Sequence, residues 1–229
     1  MRDKLDGKQY VEQYVQTLAH EMKSPLAAIR AATEVLEGNP PEAERERFLA
    51  HVGTQAQRLS AMIDKVLALA AVEYRQSLDR LESVDFAAVV AKAVADLAPR
   101  LERRELSLQV DAPASASLRG NAFLLGQAVA NLLENAVDFS PVGGLIEVEL
   151  RQEGERLQLQ VRDRGPGVPD FALARVFERF YSLPRPDGAR SSGIGLSFVR
   201  EVASLHGGEA KLGNRDGGGA VAALELPLR

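Results

Sequence analysis

His20 and Glu21 are neighbours in a segment whose apolar spacing predicts a long helix. A helix turns by about 100° per residue, so His20, two positions from both Leu18 and Met22, points away from the apolar stripe. An exposed imidazole beside a carboxylate can act as a nucleophile, because the carboxylate takes or orients the proton on one ring nitrogen. The alternative is an ordinary surface histidine.

Pro25 follows His20 by about one and a half helical turns. A proline inside a helix removes one backbone hydrogen bond, here freeing the carbonyl of Glu21, and costs about 3 kcal/mol. The residue therefore predicts a bend or a local opening just after the histidine.

Asn131 and Asn135 are four residues apart in a strongly helical segment and share one face of it. Amide carbonyls suit Mg²⁺, which takes few protein oxygens and keeps part of its water shell beside phosphates. The alternative is polar filler on an exposed helix face.

Asp163 follows an alternating segment and opens the sequence Asp163-Arg164-Gly165-Pro166-Gly167. A carboxylate in this position can accept the exocyclic amine of adenine, while Gly165 and Gly167 let the backbone approach the base. The alternative is a common turn.

Gly193, Ile194, Gly195 and Leu196 precede a predicted helix. Free backbone N–H groups at a helix N-terminus bind phosphate. By itself the motif is weak, because many helices begin with glycine.

Two helices are predicted at the N-terminus, over residues 5–37 and 42–78, with the turn Gly38–Pro41 between them. Gly38 is expected to cap the first helix, and the short turn favours an antiparallel hairpin. One hairpin cannot cover both of its apolar stripes, so we expect a homodimer that forms a four-helix bundle. The first stripe steps by threes and fours through Val11, Val15, Leu18, Met22, Leu26, Ile29, Thr33 and Leu36; the second contains Phe48, Val52, Gln55, Leu59, Met62 or Ile63, and Val66.

The pattern changes near Ser83 to a mixture of helices and strands. Helices are predicted over residues 86–97, 121–139, 171–177 and 194–205, and strands over 106–110, 146–150, 157–161, 209–212 and 220–226. This order predicts an α+β domain with an antiparallel or mixed sheet.

The composition excludes several classes of protein. The net charge is −4 with no Lys/Arg block, so we expect no nucleic-acid partner, and there is no Cys for a disulfide, redox or thiolate metal site. No apolar run approaches the roughly 20 residues that span a bilayer, so we expect this chain to be soluble, without membrane contact.

Together these motifs resemble the cytoplasmic core of a bacterial sensor histidine kinase. The H box is His20–Leu26, the N box is Asn131–Asn135, the G1 box is Asp163–Gly167, the F box is Phe177–Tyr181 and the G2 box is Ser192–Leu196. The resemblance covers nearly the whole chain. It implies an α-helical hairpin, a four-helix bundle in the dimer, followed by a Bergerat-type ATP-binding sandwich.

The resemblance also implies roles for residues. His20 would be the phosphoacceptor, Glu21 its acid/base partner and Ser24 part of a phosphatase motif. Asn135 would be the Mg²⁺ ligand, with Asn131 beside it at the phosphates, and Asp163 would accept adenine. The nucleotide walls would come from Phe180, Gly165, Gly167, Gly193, Ile194, Gly195 and Leu196, with residues 182–192 as a lid.

The implied organisation is a remnant of a signalling helix at 1–9, a dimerisation and phosphotransfer domain at 10–80 and a catalytic domain at 81–229. The implied ligands are ATP or ADP and Mg²⁺. The implied partners are a second copy of the chain and the receiver domain of a response regulator. The expected location is the cytoplasmic portion of a sensor anchored in the inner membrane.

Some positions depart from the family pattern. Asp138 and Phe139 stand where many members have a basic residue and Tyr, so Asp138 is expected to point away and an arginine elsewhere to supply charge. Arg179, Arg185 and Arg190 are the candidates. Ser191 replaces the first G2 glycine, and Ser24 replaces the usual Thr or Asn of the phosphatase motif.

Two rival functions remain. One is a non-catalytic ATP-binding scaffold that signals by conformation. The other is an ATPase of the gyrase or MutL kind, in which a general-base Glu stands where this chain has Asn131.

Overall fold

The computed structural model describes residues 22–73, 81–179, 181–185 and 193–229, although several α2 side chains between 57 and 73 are left out of the description. The chain divides into two compact units, Met1–Leu67 and Ala68–Arg229. This division falls within a helix, and residues 74–80 lie outside the described part. The limits 1–9, 10–80 and 81–229 therefore stay predictions.

The first unit contains a helical segment over residues 22–37, α1, and the start of α2, Glu42–Glu73. The break between them falls where the sequence predicts it. The residue with a left-handed backbone is Asn39, with φ of 54°, rather than the expected Gly38. Asn tolerates this conformation because its short side chain is small and polar. Glu42 and Glu44 occupy the first turn of α2, where carboxylates favour the positive end of the helix dipole.

Where their side chains are described, the least exposed residues of α2 belong to the predicted stripe. They are Phe48, Val52, Gln55 and Leu59, at steps of three and four. In α1 the buried positions are Pro25 and Ala32. Several apolar side chains of this unit remain exposed within one chain: Leu26 at 58%, Val35 at 40%, Leu49 at 51% and Ile63 at 43%.

The second unit is the predicted α+β domain with a mixed sheet. Its main sheet has the order β2-β4-β5-β7-β6, in which only β2 and β4 are parallel, and β1 pairs with β3 in a separate two-stranded ribbon. The strands are β1 Glu82–Asp85, β2 Ser107–Asp111, β3 Ser117–Gly120, β4 Leu145–Glu153, β5 Arg156–Arg162, β6 Glu209–Asn214 and β7 Ala220–Pro227. The helices are α3 Phe86–Arg103, α4 Ala122–Phe139, α5 Asp170–Leu173 and α6 Gly195–Leu205.

Helix α4 is the centre of the core, in contact with both α3 and α6. Its side chains predicted to face inward are all buried: Leu124, Leu125, Ala128, Val129, Leu132, Leu133 and Ala136. Alternate side chains of the sheet, such as Val148 of β4 and Leu159 of β5, are buried as well, as period-2 strands require. Asn121 begins the helix because its Oδ1 accepts the N–H of Leu124 at 3.0 Å.

His206 joins the end of α6 to the start of α4. Its Nδ1 lies 2.7 Å from the carbonyl of Val202, and its Nε2 accepts the N–H of Asn121 at 3.1 Å. The ring therefore carries its proton on Nδ1 and is neutral. Burial lowers its pKa, and the hydrogen bond to Val202 opposes this effect.

The opposite face of the main sheet is covered by ion pairs and amides instead of apolar side chains. Arg151 bonds Asp111 of β2 and Glu149 of β4, and Arg162 of β5 bonds the same Glu149. Lys211 of β6 pairs with Glu209 and with Glu225 of β7. This charged network reaches all five strands.

Candidate functional site

A pocket of about 100 Å³ lies between α4, the strand ends and the start of α6. Its wall is mostly apolar, and its polar members include Asn135, Asp163 and Ser182. The lining residues are Leu132, Asn135, Ala136, Phe139, Val161, Asp163, Gly167, Val168, Val176, Tyr181, Ser182, Leu183, Gly193, Gly195, Leu196, Leu212, Ala220 and Ala222. Four motifs that are distant in the sequence therefore meet at one cavity.

Asp163 is buried directly after β5. Its Oδ1 accepts the N–H groups of Gly165 at 2.8 Å and Ala220 at 3.2 Å, and no described residue donates a hydrogen bond to Oδ2. Burial raises the pKa of this carboxyl, while the two N–H donors and Arg215 act to lower it. One oxygen is thus fixed by the backbone, and the other can accept an N–H from a molecule in the pocket.

Glycine is required on both sides of Asp163 by close contacts. A Cβ on Gly165 would lie 2.4 Å from the carbonyl oxygen of Phe139. A Cβ on Gly219, whose φ is 95°, would lie 2.1 Å from the carbonyl oxygen of Asp163. A role was predicted from the sequence for Gly165 but not for Gly219, although the three successive glycines at 217–219 are a signal of close approach.

Asn131 and Asn135 are not exposed polar filler. Asn131 is 5% exposed, and its Oδ1 lies only 3.3 Å from where a Cβ of Gly195 would stand. Asn135 is half-buried and lines the pocket. The two amides therefore lie under and beside the start of α6.

The start of α6 borders the same cavity. Gly193 has a φ of 69°, and Gly193, Gly195 and Leu196 line the pocket. Ile194 is buried at the N-cap, and no side chain of the described residues caps the helix there. The first N–H groups of α6 are therefore available to an anion.

Asp138 does not face the pocket as a bare charge. Arg100 lies 2.7 Å from its Oδ1 and Arg185 lies 2.6 Å from its Oδ2. Burial raises the pKa of this carboxyl, and the two guanidinium groups oppose the shift. Arg104 also binds the backbone carbonyls of Val137, Asp138 and Ser140, which fixes the end of α4.

The candidate arginines differ in their surroundings. Arg179 pairs with Glu201 of α6 at 2.9 Å, whereas Arg185 is held by Asp138 beside the lining residues Ser182 and Leu183. The Nε of Arg185 is buried without a hydrogen-bond partner among the described residues. Arg190 lies outside the described residues.

Three predicted site residues, His20, Glu21 and Phe180, also lie outside the described residues. Ser24 is exposed near the start of the described part of α1, and Pro25 beside it is buried within the helix. Their roles stay predictions.

The oxygen ligands at the pocket suit Mg²⁺, which binds together with water and phosphates, better than a metal ion coordinated by protein side chains alone. Within the described ranges, no three His, Cys, Asp or Glu side chains are grouped to hold a metal ion. Asn135 offers one amide oxygen at the cavity, and Mg²⁺ is commonly held by few protein oxygens together with water and phosphates.

Comparisons with known proteins agree with this arrangement. Residues 10–75 match the family description "His Kinase A (phospho-acceptor) domain", and residues 120–229 match "Histidine kinase-, DNA gyrase B-, and HSP90-like ATPase". The mycobacterial sensor histidine kinase MprB is 32% identical, with a TM-score of 0.58 over 66% of this chain and 99% of the MprB chain. The chain belongs to the sensor histidine kinase family.

Two further relatives extend the comparison over nearly the whole of this histidine kinase chain. The sensor protein CreC of Escherichia coli K12 is 45% identical over 99% of this chain and 47% of CreC. This agrees with the sequence around Tyr10–Val15, Lys23–Arg30 and Phe177–Pro184, which resembles CreC-type kinases. Full-length ShkA in complex with AMPPNP is 26% identical, with a TM-score of 0.64 over 94% of this chain and 45% of ShkA.

The chain spans about half the length of the curated relatives that it matches. Within the part that the structure describes, no helix has the length and apolar content needed to cross a membrane.

Proposed function

We propose that this histidine kinase binds ATP at the pocket, transfers the γ-phosphoryl group to His20 and then passes it to an aspartate of a response regulator. The observation that carries the proposal is the free Oδ2 of Asp163 in the same cavity as Asn135 and the start of α6. The exocyclic amine of adenine needs an acceptor such as Oδ2 of Asp163. The phosphate chain needs the N–H groups at the start of α6, and its magnesium ion needs the amide oxygen of Asn135. The AMPPNP complex of ShkA, a relative with the same fold, supports the choice of nucleotide.

Each residue has a separate task in this proposal. Asp163 accepts the exocyclic amine of adenine, and Asn135 offers its amide oxygen to Mg²⁺, with Asn131 packed beside it. The start of α6 offers N–H groups to phosphate. Arg185, held by Asp138, is the best-placed described arginine to neutralise phosphate charge, because Asp138 occupies the position where many relatives have a basic residue.

The reaction needs positioning and charge neutralisation more than further protein chemistry. A ring nitrogen of His20 attacks the γ-phosphorus, the P–N bond forms and the bond to the leaving ADP oxygen breaks. Glu21 takes or orients the proton on the other ring nitrogen. In the second step an aspartate carboxylate of the regulator displaces the imidazole from phosphorus.

Labelling tests the first step directly. Incubation with Mg²⁺ and ATP radioactive at the γ-phosphate should give an acid-labile label on the wild type and none on His20→Gln. Absence of label on the wild type would contradict the kinase and favour the non-catalytic scaffold. Steady ATP hydrolysis that survives His20→Gln would favour an ATPase of the gyrase or MutL kind.

A structural observation disfavours the ATPase. Asn131 occupies the position at which those enzymes have a general-base Glu, and here it is buried against Gly195. An amide cannot serve as a general base for water.

We also propose that the hairpin dimerises, since a second copy would cover its exposed apolar side chains. The regulator's receiver domain is expected to reach His20, which the helical spacing of the sequence predicts to point away from the apolar stripe. Ser24, exposed on α1, could orient a water for the reverse, phosphatase reaction. Phosphotransfer and dephosphorylation assays with a purified receiver domain test these roles. Cell fractionation of the full-length protein tests the proposed cytoplasmic placement beside an inner-membrane anchor.

A further inference from the structure

Asn214, the last residue of β6, holds both backbone groups of a single residue in the pocket wall. Its Oδ1 accepts the N–H of Val168 at 2.7 Å, and its Nδ2 donates to the carbonyl of Val168 at 2.8 Å. A side-chain amide thereby makes the pair of bonds that a neighbouring strand would make. The two residues are 46 positions apart in the chain.

The segment that Asn214 holds, residues 163–168, is here called the base-edge loop. Its members Asp163, Gly167 and Val168 line the pocket. Gly167 has a φ of 74°, and a Cβ there would lie 2.7 Å from Oδ1 of Asn214. The loop and the amide therefore fit closely, and the fit depends on glycine.

The other end of the base-edge loop is fixed by the same turn between β6 and β7. Arg215 donates to the carbonyl of Asp163 at 3.3 Å and pairs with Glu147 of β4 at 2.7 Å. The N–H of Asp163 donates to the carbonyl of Ala220 at 3.0 Å, and the N–H of Ala220 donates to Oδ1 of Asp163 at 3.2 Å. Between these fixed ends, Arg164 and Pro166 are exposed and add no packing.

We propose that Asn214 is a positioning residue for base recognition, and that its two bonds to Val168 set the width of the pocket between Asp163 and the opposite wall. At this width the Oδ2 of Asp163 meets the 6-amino group of adenine. A purine with a 6-oxo group presents an acceptor to the same carboxylate and is rejected. This inference rests on the proposed ATP site.

The variant Asn214→Ala tests the inference, with Asp216→Ala as its matched control. Asp216 is an exposed residue of the same turn, and within the described part of the chain its side chain has no hydrogen bond or ion pair with the base-edge loop. Calorimetry on the whole chain with Mg²⁺ should measure the affinities for ATP and for inosine triphosphate. For Asn214→Ala we expect the ATP affinity to fall about tenfold, as two lost hydrogen bonds predict, while the inosine triphosphate affinity stays within about twofold. Asp216→Ala should behave as the wild type.

The ratio of the two affinities separates positioning from general loosening. If Asn214→Ala lowers both affinities equally, or neither, the inference is wrong. Failure of the wild type to bind ATP would instead overturn the proposed ATP site. If circular dichroism shows that Asn214→Ala does not fold, Asn214→Asp takes its place, because it keeps the acceptor for Val168 but loses the donor. Its ratio should fall in the same direction, and an unchanged ratio contradicts the inference.

Discussion

At the scale of single residues, the protonation state of the Asp163 carboxyl decides how well it can perform its proposed role in adenine recognition. Its Oδ1 is held by two backbone N–H groups, and burial raises the pKa of the carboxyl above the ordinary value of 3.8. Recognition of adenine requires the ionised form, since a protonated carboxyl accepts the amine less strongly.

Asp163→Asn is expected to weaken ATP binding by about 10- to 100-fold, the loss that accompanies one charged hydrogen bond. Calorimetry checks the affinity, and Asp170→Asn, an exposed carboxylate at the start of α5, is the control. For the wild type, the affinity should fall as the pH decreases through the raised pKa of Asp163. Equal affinity for wild type and Asp163→Asn at neutral pH would contradict the assignment.

His206 gives a second residue-scale prediction, for stability. The unfolded chain takes up a proton near the ordinary pKa of 6.5, whereas the folded protein, in which burial lowers that pKa, does so only at lower pH. Between these two values the unfolded state binds more protons, so stability is full above pH 6.5 and is lost as the pH falls.

Denaturant unfolding of the wild type and of His206→Gln at a series of pH values checks this prediction. The variant should be less stable at neutral pH by about 1–2 kcal/mol, because the N–H of Asn121 loses its acceptor. Below pH 6.5 its stability should change less steeply with pH than that of the wild type. His51→Gln, at an exposed position on α2, is the control for the substitution itself.

At the scale of elements, the turn between β6 and β7 packs closely against the base-edge loop. Gly217 and Gly219 both have positive φ, 87° and 95°, but only Gly219 has the backbone of Asp163 where a Cβ would stand. The two positions therefore separate backbone strain from steric contact.

Gly217→Ala is expected to lower the free energy of unfolding by about 1–2 kcal/mol, the cost of a left-handed non-glycine residue. Gly219→Ala should cost several kcal/mol more and should also weaken ATP binding, because Asp163 must move. Thermal unfolding and calorimetry measure the two effects. Equal losses for both variants would show that the contact with Asp163 carries no energy.

The helices and strands also show how much of the fold could be predicted from the sequence. Helix α4 and the hairpin β4–β5 were predicted correctly, since long segments of period 3.6 and period 2 leave little ambiguity. The strands β1 and β3 were missed because each has four residues and few buried side chains, Val84 in one and Leu118 in the other. The predicted end of helix α3, Leu97, was too early. Pro99 usually terminates a helix, but here the helix continues to Arg103.

The site itself was only partly predictable. Local motifs indicated Asp163, Asn135 and Gly193 as candidates, because the residues that suggest their chemistry lie within a few neighbouring positions of the sequence. Asn214, Arg215 and Gly219 act through contacts with residues 46 to 56 positions away, and no local pattern contains such information. Likewise, the arginines that could supply charge at the phosphates could be ranked only when the fold brought Arg185 beside Asp138.

At the scale of the whole molecule, the exposed apolar side chains of the hairpin predict its oligomeric state. Ile63→Glu places a charge within the proposed dimer contact and should shift the protein to a monomer in sedimentation analysis. Phe171→Glu changes a side chain that is 73% exposed in the other unit and should leave the dimer mass unaltered. A monomeric wild type would contradict the dimer, and an unaltered Ile63→Glu dimer would exclude this face.

The charged network on the open face of the sheet limits where the molecule can associate. Both edge strands take part in it, β2 through Asp111 and β6 through Lys211, and charges at strand edges discourage the addition of a further strand. Without these charges, the sheets of neighbouring molecules could stack or pair at their edge strands and form aggregates. The salt bridges of this face are therefore expected to discourage sheet-to-sheet association, and the proposed dimer contact lies instead on the helical hairpin.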